Sequence, residues 1–257
     1  MQQIDAYRAE GLLVIPNFFK KVEIEQLKTC ADKLQLTAST IAKKQTGKVM
    51  YLGTEFVLDK LEDKVQIHRI VWAGAAQPKL LELARQKKLL SPVSQLLESS
   101  EACHLINQLH YKLPHDEVSF DWHQDVKNRR TFDPNWQDLN KTGSFVQVII
   151  AIDSMTSANG GIFYVPKSHL NGDLFLEQIT DTAKLQAVAK LDNAIALQLN
   201  PGDVIFMDPY LIHGSKANIS DKPRRIFING FAYPGANKKP YPGTGSAQLI
   251  SLKANND

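Results

Sequence analysis

The stretch Phe120-Asp121-Trp122-His123-Gln124-Asp125 constrains this chain more than any other. It sets an imidazole and a carboxylate two residues apart, directly after a run that reads as β-strand. On an extended backbone, residues i and i+2 leave the same face, so His123 and Asp125 are expected to reach one point in space. A third ligand has to come from elsewhere in the chain. The best supplier is His213, in Asp208-Pro209-Tyr210-Leu211-Ile212-His213-Gly214-Ser215, where an apolar run ends just before a glycine. Two imidazoles and one carboxylate on one face, with the opposite face open, make the facial triad that suits non-haem Fe(II). Zinc is the competing metal, but its protein sites usually draw on cysteine as well as histidine, and neither Cys30 nor Cys103 lies near the motif. The bland alternative is a surface strand with a hydrogen-bonded histidine.

The rest of the chain supplies the scaffold. Residues 4–10 read as a short helix closed by Gly11, and residues 12–15 as a strand ended by Pro16. Ile24, Leu27, Ala31 and Leu34 recur at helical spacing over residues 22–36. Residues 43–47 read as a polar loop and residues 64–72 as a strand. Ser91-Pro92 reads as the N-cap and first position of a helix running to Leu97. From Cys103 onward short strands divided by turn signals take over. Residues 103–112 alternate, which places His104, Ile106, Gln108, His110 and Lys112 on one face. A polar loop over residues 126–142 follows the metal motif. Strands are expected over 144–153 and, after the turn Ala158-Asn159-Gly160-Gly161, over 162–165. A helix over 181–190 precedes a hairpin that pairs 194–199 with 204–207, and 225–232 form the last strand before a Pro/Gly-rich tail. The expected fold class is α+β with a mainly β core, a jelly-roll barrel braced by helices from the N-terminal part. No linker or repeat divides the chain, so residues 1–257 are read as a single domain.

Composition excludes several function classes. A formal charge of +3 with scattered lysines and arginines gives no nucleic-acid footprint. No apolar run is long enough for a membrane span, and no basic-then-apolar leader is evident. Two cysteines far apart give no disulfide framework, so a reducing, cytoplasmic setting is expected. The expected partner is a small-molecule substrate.

An iron oxygenase of this kind needs electrons, which a 2-oxo acid co-substrate can supply, and the far carboxylate of that acid needs a fixed cation. Arginine fits because its planar fork meets a carboxylate with two parallel hydrogen bonds. Arg224 and Arg225 both qualify, at the start of the final strand, which is expected to lie beside the strand carrying His213. A pair of solvated basic residues at a strand edge is the plain alternative.

The sequence resembles the phytanoyl-CoA dioxygenase family of Fe(II)/2-oxoglutarate oxygenases over almost its whole length. The similar segments are the start from Ile4 through Gly11 to Pro16, the motif Trp122-His123-Gln124-Asp125, and the segment Asn159-Gly160-Gly161 through Pro166-Lys167-Ser168-His169. His213-Gly214-Ser215 with Asn218, Pro223 and Arg224 resembles the family's closing motif. Lys167 stands where the family has a glycine, which touches only the local turn. The resemblance implies a double-stranded β-helix, a cupin-like jelly roll. It further implies His123, Asp125 and His213 as iron ligands and Arg224, rather than Arg225, as the anchor of 2-oxoglutarate. Ser215 would add a hydroxyl to the same carboxylate. On the strand before the metal motif, similarity to ectoine hydroxylases puts His110 at a co-substrate-contacting place, with Gln108 beside it on the same face. His169 matches a structural position and is not counted as a ligand.

The activity so implied is hydroxylation of an unactivated C–H bond, consuming O2 and 2-oxoglutarate and releasing succinate and CO2. Asp125 argues against halogenation, which needs that ligand position free. Lys127, Arg129 and Arg130 of the loop over 126–142 would meet an anionic substrate and Trp136 an apolar part, unless the loop is simply solvated. Two other classes stay open: a non-catalytic metal- or ligand-binding barrel of the same fold, and a zinc hydrolase. The hydrolase would need a general base that no residue supplies.

Overall fold

A computed structural model of the protein describes residues 2–61 and 64–253. The first part runs α1 (Gln2–Glu10), β1 (Leu12–Ile15), α2 (Lys21–Ala42), β2 (Gly47–Tyr51), β3 (Thr54–Leu61), β4 (Lys64–Val71), α3 (Pro78–Ala84) and α4 (Lys87–Leu97). The second runs β5 (Glu101–Lys112), β6 (Phe120–His123), α5 (Asp125–Phe132), β7 (Phe145–Ala151), β8 (Ile162–Tyr164) and α6 (Thr182–Ala189). It closes with β9 (Ile195–Ala196), β10 (Val204–Met207), β11 (His213–Ser215), β12 (Arg224–Ala232) and β13 (Gln248–Ser251).

The helices pack because their apolar stripes have a sheet to cover. In α2, Ile24, Leu27, Ala31, Leu34 and Ala38 are buried along one face. This helix outruns its expected end at residue 36. Its last turns carry Thr37, Ser39 and Thr40, poor helix formers whose hydroxyls here bond back to carbonyls four residues earlier. The helix expected to open at Ser91 starts a turn earlier, with Pro92 inside it. Leu89, Leu90, Val93, Leu96 and Leu97 are all buried. At about 1.5–3 kcal/mol each, they outweigh the roughly 3 kcal/mol that an interior proline costs.

Two sheets face each other in a jelly roll. The larger has nine strands in the order β1-β10-β7-β12-β5-β4-β3-β2, with β13 also on β5; the smaller has the order β6-β11-β8-β9. Alternation along the large sheet sorts its side chains. Val146, Val148 and Ile150 of β7, with Phe227 and Phe231 of β12 and Leu109 and Tyr111 of β5, meet the helices. Phe145, Ile149, Ile226 and Ile228 point between the sheets. Every residue of β7 and of β12 is buried, so both faces of these strands are covered.

Several expectations are corrected. Residues 194–199 and 204–207 do not form a hairpin: β9 joins the small sheet and β10 pairs β1 and β7 in the large one. The tail after β12 contains β13, which pairs the start of β5. A bulge interrupts the β5–β12 register at Leu105, so His104 leaves the row of Ile106, Gln108, His110 and Lys112. It stacks on Phe231 on the helix-covered face instead. The strand carrying Arg224 does not lie beside the one carrying His213. It belongs to the opposite sheet and faces it across the barrel.

Candidate metal centre

His123 is the last residue of β6 and His213 the first of β11, and the two are cross-strand partners in register. Their ring centroids are 4.2 Å apart. Asp125 is not on the strand as expected. The backbone turns at Gln124, and Asp125 opens α5. The buried Gln124 amide fixes that turn, donating to the Gly172 and Tyr210 carbonyls at 2.7 and 2.6 Å and accepting from Leu174 N–H at 2.8 Å. His213 is held from behind, since Ile212 N–H donates to Ser168 Oγ.

The protonation pattern points one way. His123 Nδ1 donates to the Asp121 carbonyl at 2.7 Å, and His213 Nδ1 to the Leu211 carbonyl at 3.0 Å. In a neutral ring this leaves Nε2 as a lone-pair donor to metal. Both Nε2 atoms lie 3.9 Å from the Asp125 carboxylate, one from each oxygen. The three ligating atoms fall within 4.8 Å of one another. Burial, then the neighbouring His213, pull the His123 imidazole down to about 4. Asp125 Oδ2 is buried with no hydrogen-bond partner. Three acceptors converging with no donor between them fit a cation, and the 2-His-1-carboxylate set fits Fe(II).

Beside the triad lies a cavity of about 370 Å³. Arg224, Ser215, His110 and Gln108 all line it, as do the triad residues. Arg224 is 1% exposed, and its Nε and Nη2 donate to the Gly160 carbonyl. That leaves the outer fork, Nη1 with the second Nη2 hydrogen, for a ligand. Burial draws this guanidinium down to about 9. Arg225, one residue on, points to the other face by strand alternation. It meets Asp153 through two nitrogens and Asp32 of α2. His110 stacks on Phe120, and its buried Nε2 has no partner. Burial, then Arg69, Arg224 and Lys112, hold it well below the usual histidine range.

The loop expected over 126–142 is helical in its first third, because α5 runs to Phe132. Lys127 and Arg129 line the cavity. Arg129 lies buried between the rings of Phe145 and Tyr241 and donates to the Tyr241 hydroxyl. Arg130 does not join them: it pairs with Asp173 and Glu177 outside the cavity. Trp136 is not part of the cavity wall either. His169 bonds to the Arg8 carbonyl and is not part of the His123, Asp125 and His213 cluster. Sequence reasoning gave no role to Gln124, Gly160 or Tyr241. The glycine was legible as a turn, whereas nothing in the tail marked Tyr241 as a wall of the site.

The family model for phytanoyl-CoA dioxygenase (PhyH) matches residues 7–226. Ectoine dioxygenase of Sphingopyxis alaskensis is 25% identical over 264 aligned positions, covering 93% of this chain and 78% of that protein. Methylphosphonate hydroxylase of Gimesia maris is 22% identical, covering 87% and 76%. Among solved structures, EctD from S. alaskensis with 2-oxoglutarate and 5-hydroxyectoine superposes with a TM-score of 0.72 at 22% identity, covering 96% of this chain and 85% of that one. That likeness is one of fold, and the residues matched by the family model span His123, Asp125, His213 and Arg224. The chain belongs to the phytanoyl-CoA dioxygenase family.

Proposed function

We propose that this protein is an Fe(II)- and 2-oxoglutarate-dependent dioxygenase that hydroxylates a small molecule, with His123, Asp125 and His213 as its iron ligands. The carrying observation is the convergence of two Nε2 atoms and an unpartnered carboxylate oxygen on one point at the cavity wall. When bound there, Fe(II) supplies the activation of O2 that lets 2-oxoglutarate be oxidised to succinate and CO2 while a substrate C–H becomes C–OH. The side chains bind and orient. Arg224 presents its outer fork to the distal carboxylate, and Ser215 adds a hydroxyl from the opposite sheet. His110, neutral and with Nε2 unpartnered, is placed to bond the co-substrate, with Gln108 next to it. Ile149, Ile226 and Ile228 keep that end of the cavity apolar and dry.

The part of the cavity walled by α5, Tyr241 and Trp122 is left for the substrate. Lys127 and Arg129 favour an anionic group on it. Residues 1–257 act as one domain in this reading, since the large sheet takes strands from both ends of the chain. No helix among the described residues is long and apolar enough to cross a membrane. Incubation with Fe(II), 2-oxoglutarate and O2 is expected to release succinate slowly even without substrate, and Asp125→Ala to abolish it. A barrel that only binds ligands would release none.

A further inference from the structure

Lys112 ends β5, on the row that carries Ile106, Gln108 and His110 into the barrel. Its side chain is fully buried, yet among the described residues no carboxylate lies within ion-pair distance of it. Nζ instead donates to Ser215 Oγ at 2.7 Å and to the Lys216 carbonyl. The second cation nearby is Arg224, equally buried and equally without a carboxylate. Burial, then Arg224, draw the Lys112 ammonium down to about 6. Charging Lys112 beside the buried Arg224 guanidinium is therefore costly until an anion joins them, and an anionic ligand favours the ammonium form. The geometry also sets the serine. Its oxygen accepts from Lys112, and among the described residues the serine hydroxyl donates to no protein acceptor. The Ser215 O–H is thereby left to donate into the cavity, which Ser215 lines.

We propose that Lys112 is a positioning residue of the co-substrate anchor: it holds the Ser215 hydroxyl as a donor and, with Arg224, fits the site to a 2-oxo diacid over a 2-oxo monoacid. The proposal rests on the reading of Arg224 and Ser215 as the seat of 2-oxoglutarate. It adds a residue on a third strand that acts through the serine.

The test is anaerobic calorimetry on the Mn(II)-loaded protein, titrated with 2-oxoglutarate and with 2-oxobutyrate, which lacks the distal carboxylate. Lys112→Met is expected to raise the 2-oxoglutarate Kd on the order of 10- to 100-fold. Mn(II) affinity and the weaker 2-oxobutyrate affinity should stay at wild-type values. Ser215→Ala should weaken 2-oxoglutarate binding too, and the double variant should be little weaker than Lys112→Met alone, because the two side chains act as a unit. Should Lys112→Met not fold, Lys112→Gln removes the charge while keeping a donor for Ser215 and is expected to show a smaller loss, still confined to 2-oxoglutarate. A 2-oxoglutarate Kd within about twofold of wild type, equal losses for both acids, or fully multiplicative losses in the double variant would overturn the role of Lys112. If the wild-type protein itself fails to bind 2-oxoglutarate, the seat at Arg224 and Ser215 falls instead.

Discussion

Neighbouring arginines with opposite fates give the sharpest mutational contrast. Arg224 spends one edge on the Gly160 carbonyl and keeps the other for a ligand, whereas Arg225 is consumed by Asp153 and Asp32. Removing one partner of a desolvated, hydrogen-bonded charge pair costs about 2–5 kcal/mol. Arg224→Met is therefore expected to weaken 2-oxoglutarate binding roughly 30-fold or more. Its effect on the ligand-free fold differs in kind. The Gly160 carbonyl loses its donors, at about 1–3 kcal/mol. Against that, the variant no longer buries a cation whose pKa burial has pulled from 12.5 to about 9, worth about 5 kcal/mol at 1.36 per unit. Ligand-free Arg224→Met should thus melt no lower than wild type. Arg225→Met should do the reverse, because it strands Asp153, which is 13% exposed. The loss is about 3 kcal/mol, a Tm drop of roughly 6–12 °C in a chain of this size, with the 2-oxoglutarate Kd almost unchanged. Calorimetric titration and thermal melts on both variants read these effects. Similar Kd losses in the two, or a loss confined to Arg225→Met, would refute the assignment.

Two further outcomes follow from buried groups. Gly160 has φ +77°, and a Cβ there would meet Lys112 Cδ at 2.6 Å and the Lys216 carbonyl oxygen at 2.9 Å. Gly160→Ala should therefore lower both thermal stability and 2-oxoglutarate affinity while Mn(II) binding persists, measured by melts and titration. His104 is buried and held down to about 3 by burial and then Arg85. Its folded value lies below the unfolded value of about 6.5, so the unfolded chain takes the proton first. The stability it preserves is fully present above about pH 6.5 and is lost as pH falls towards 3. Between pH 7 and 5 this amounts to about 2 kcal/mol, and denaturant melts of His104→Gln should show that much less acid sensitivity than wild type.

What the sequence revealed, it revealed through periodicity and spacing. The residues alone left Arg224 and Arg225 both open, and only the family resemblance favoured Arg224; Asn159-Gly160-Gly161 was legible as a turn but not as the seat of the Arg224 fork. The triad was legible because two histidines and an aspartate flank strong strand signals. The geometry behind it was not. Asp125 was assigned to a strand, yet it opens a helix because the Gln124 amide pins the chain to three distant backbone groups, a tertiary effect with no local signature. The false hairpin at 194–207 has the same origin: its turn residues are real, but the partners of β9 and β10 lie in different sheets. Arg130 looked like a substrate contact until Asp173 and Glu177, far along the chain, proved to hold it. The bulge at Leu105, which moves His104 to the other face, was likewise invisible in a pattern that alternates without a break.

The most direct measurement is a crystal of the protein soaked with Mn(II) and 2-oxoglutarate, with the metal located by anomalous scattering. One peak is expected within bonding distance of His123 Nε2, His213 Nε2 and the Asp125 carboxylate, with the keto acid reaching from it to Arg224. A peak at other residues, or none at saturating metal, would contradict the assignment.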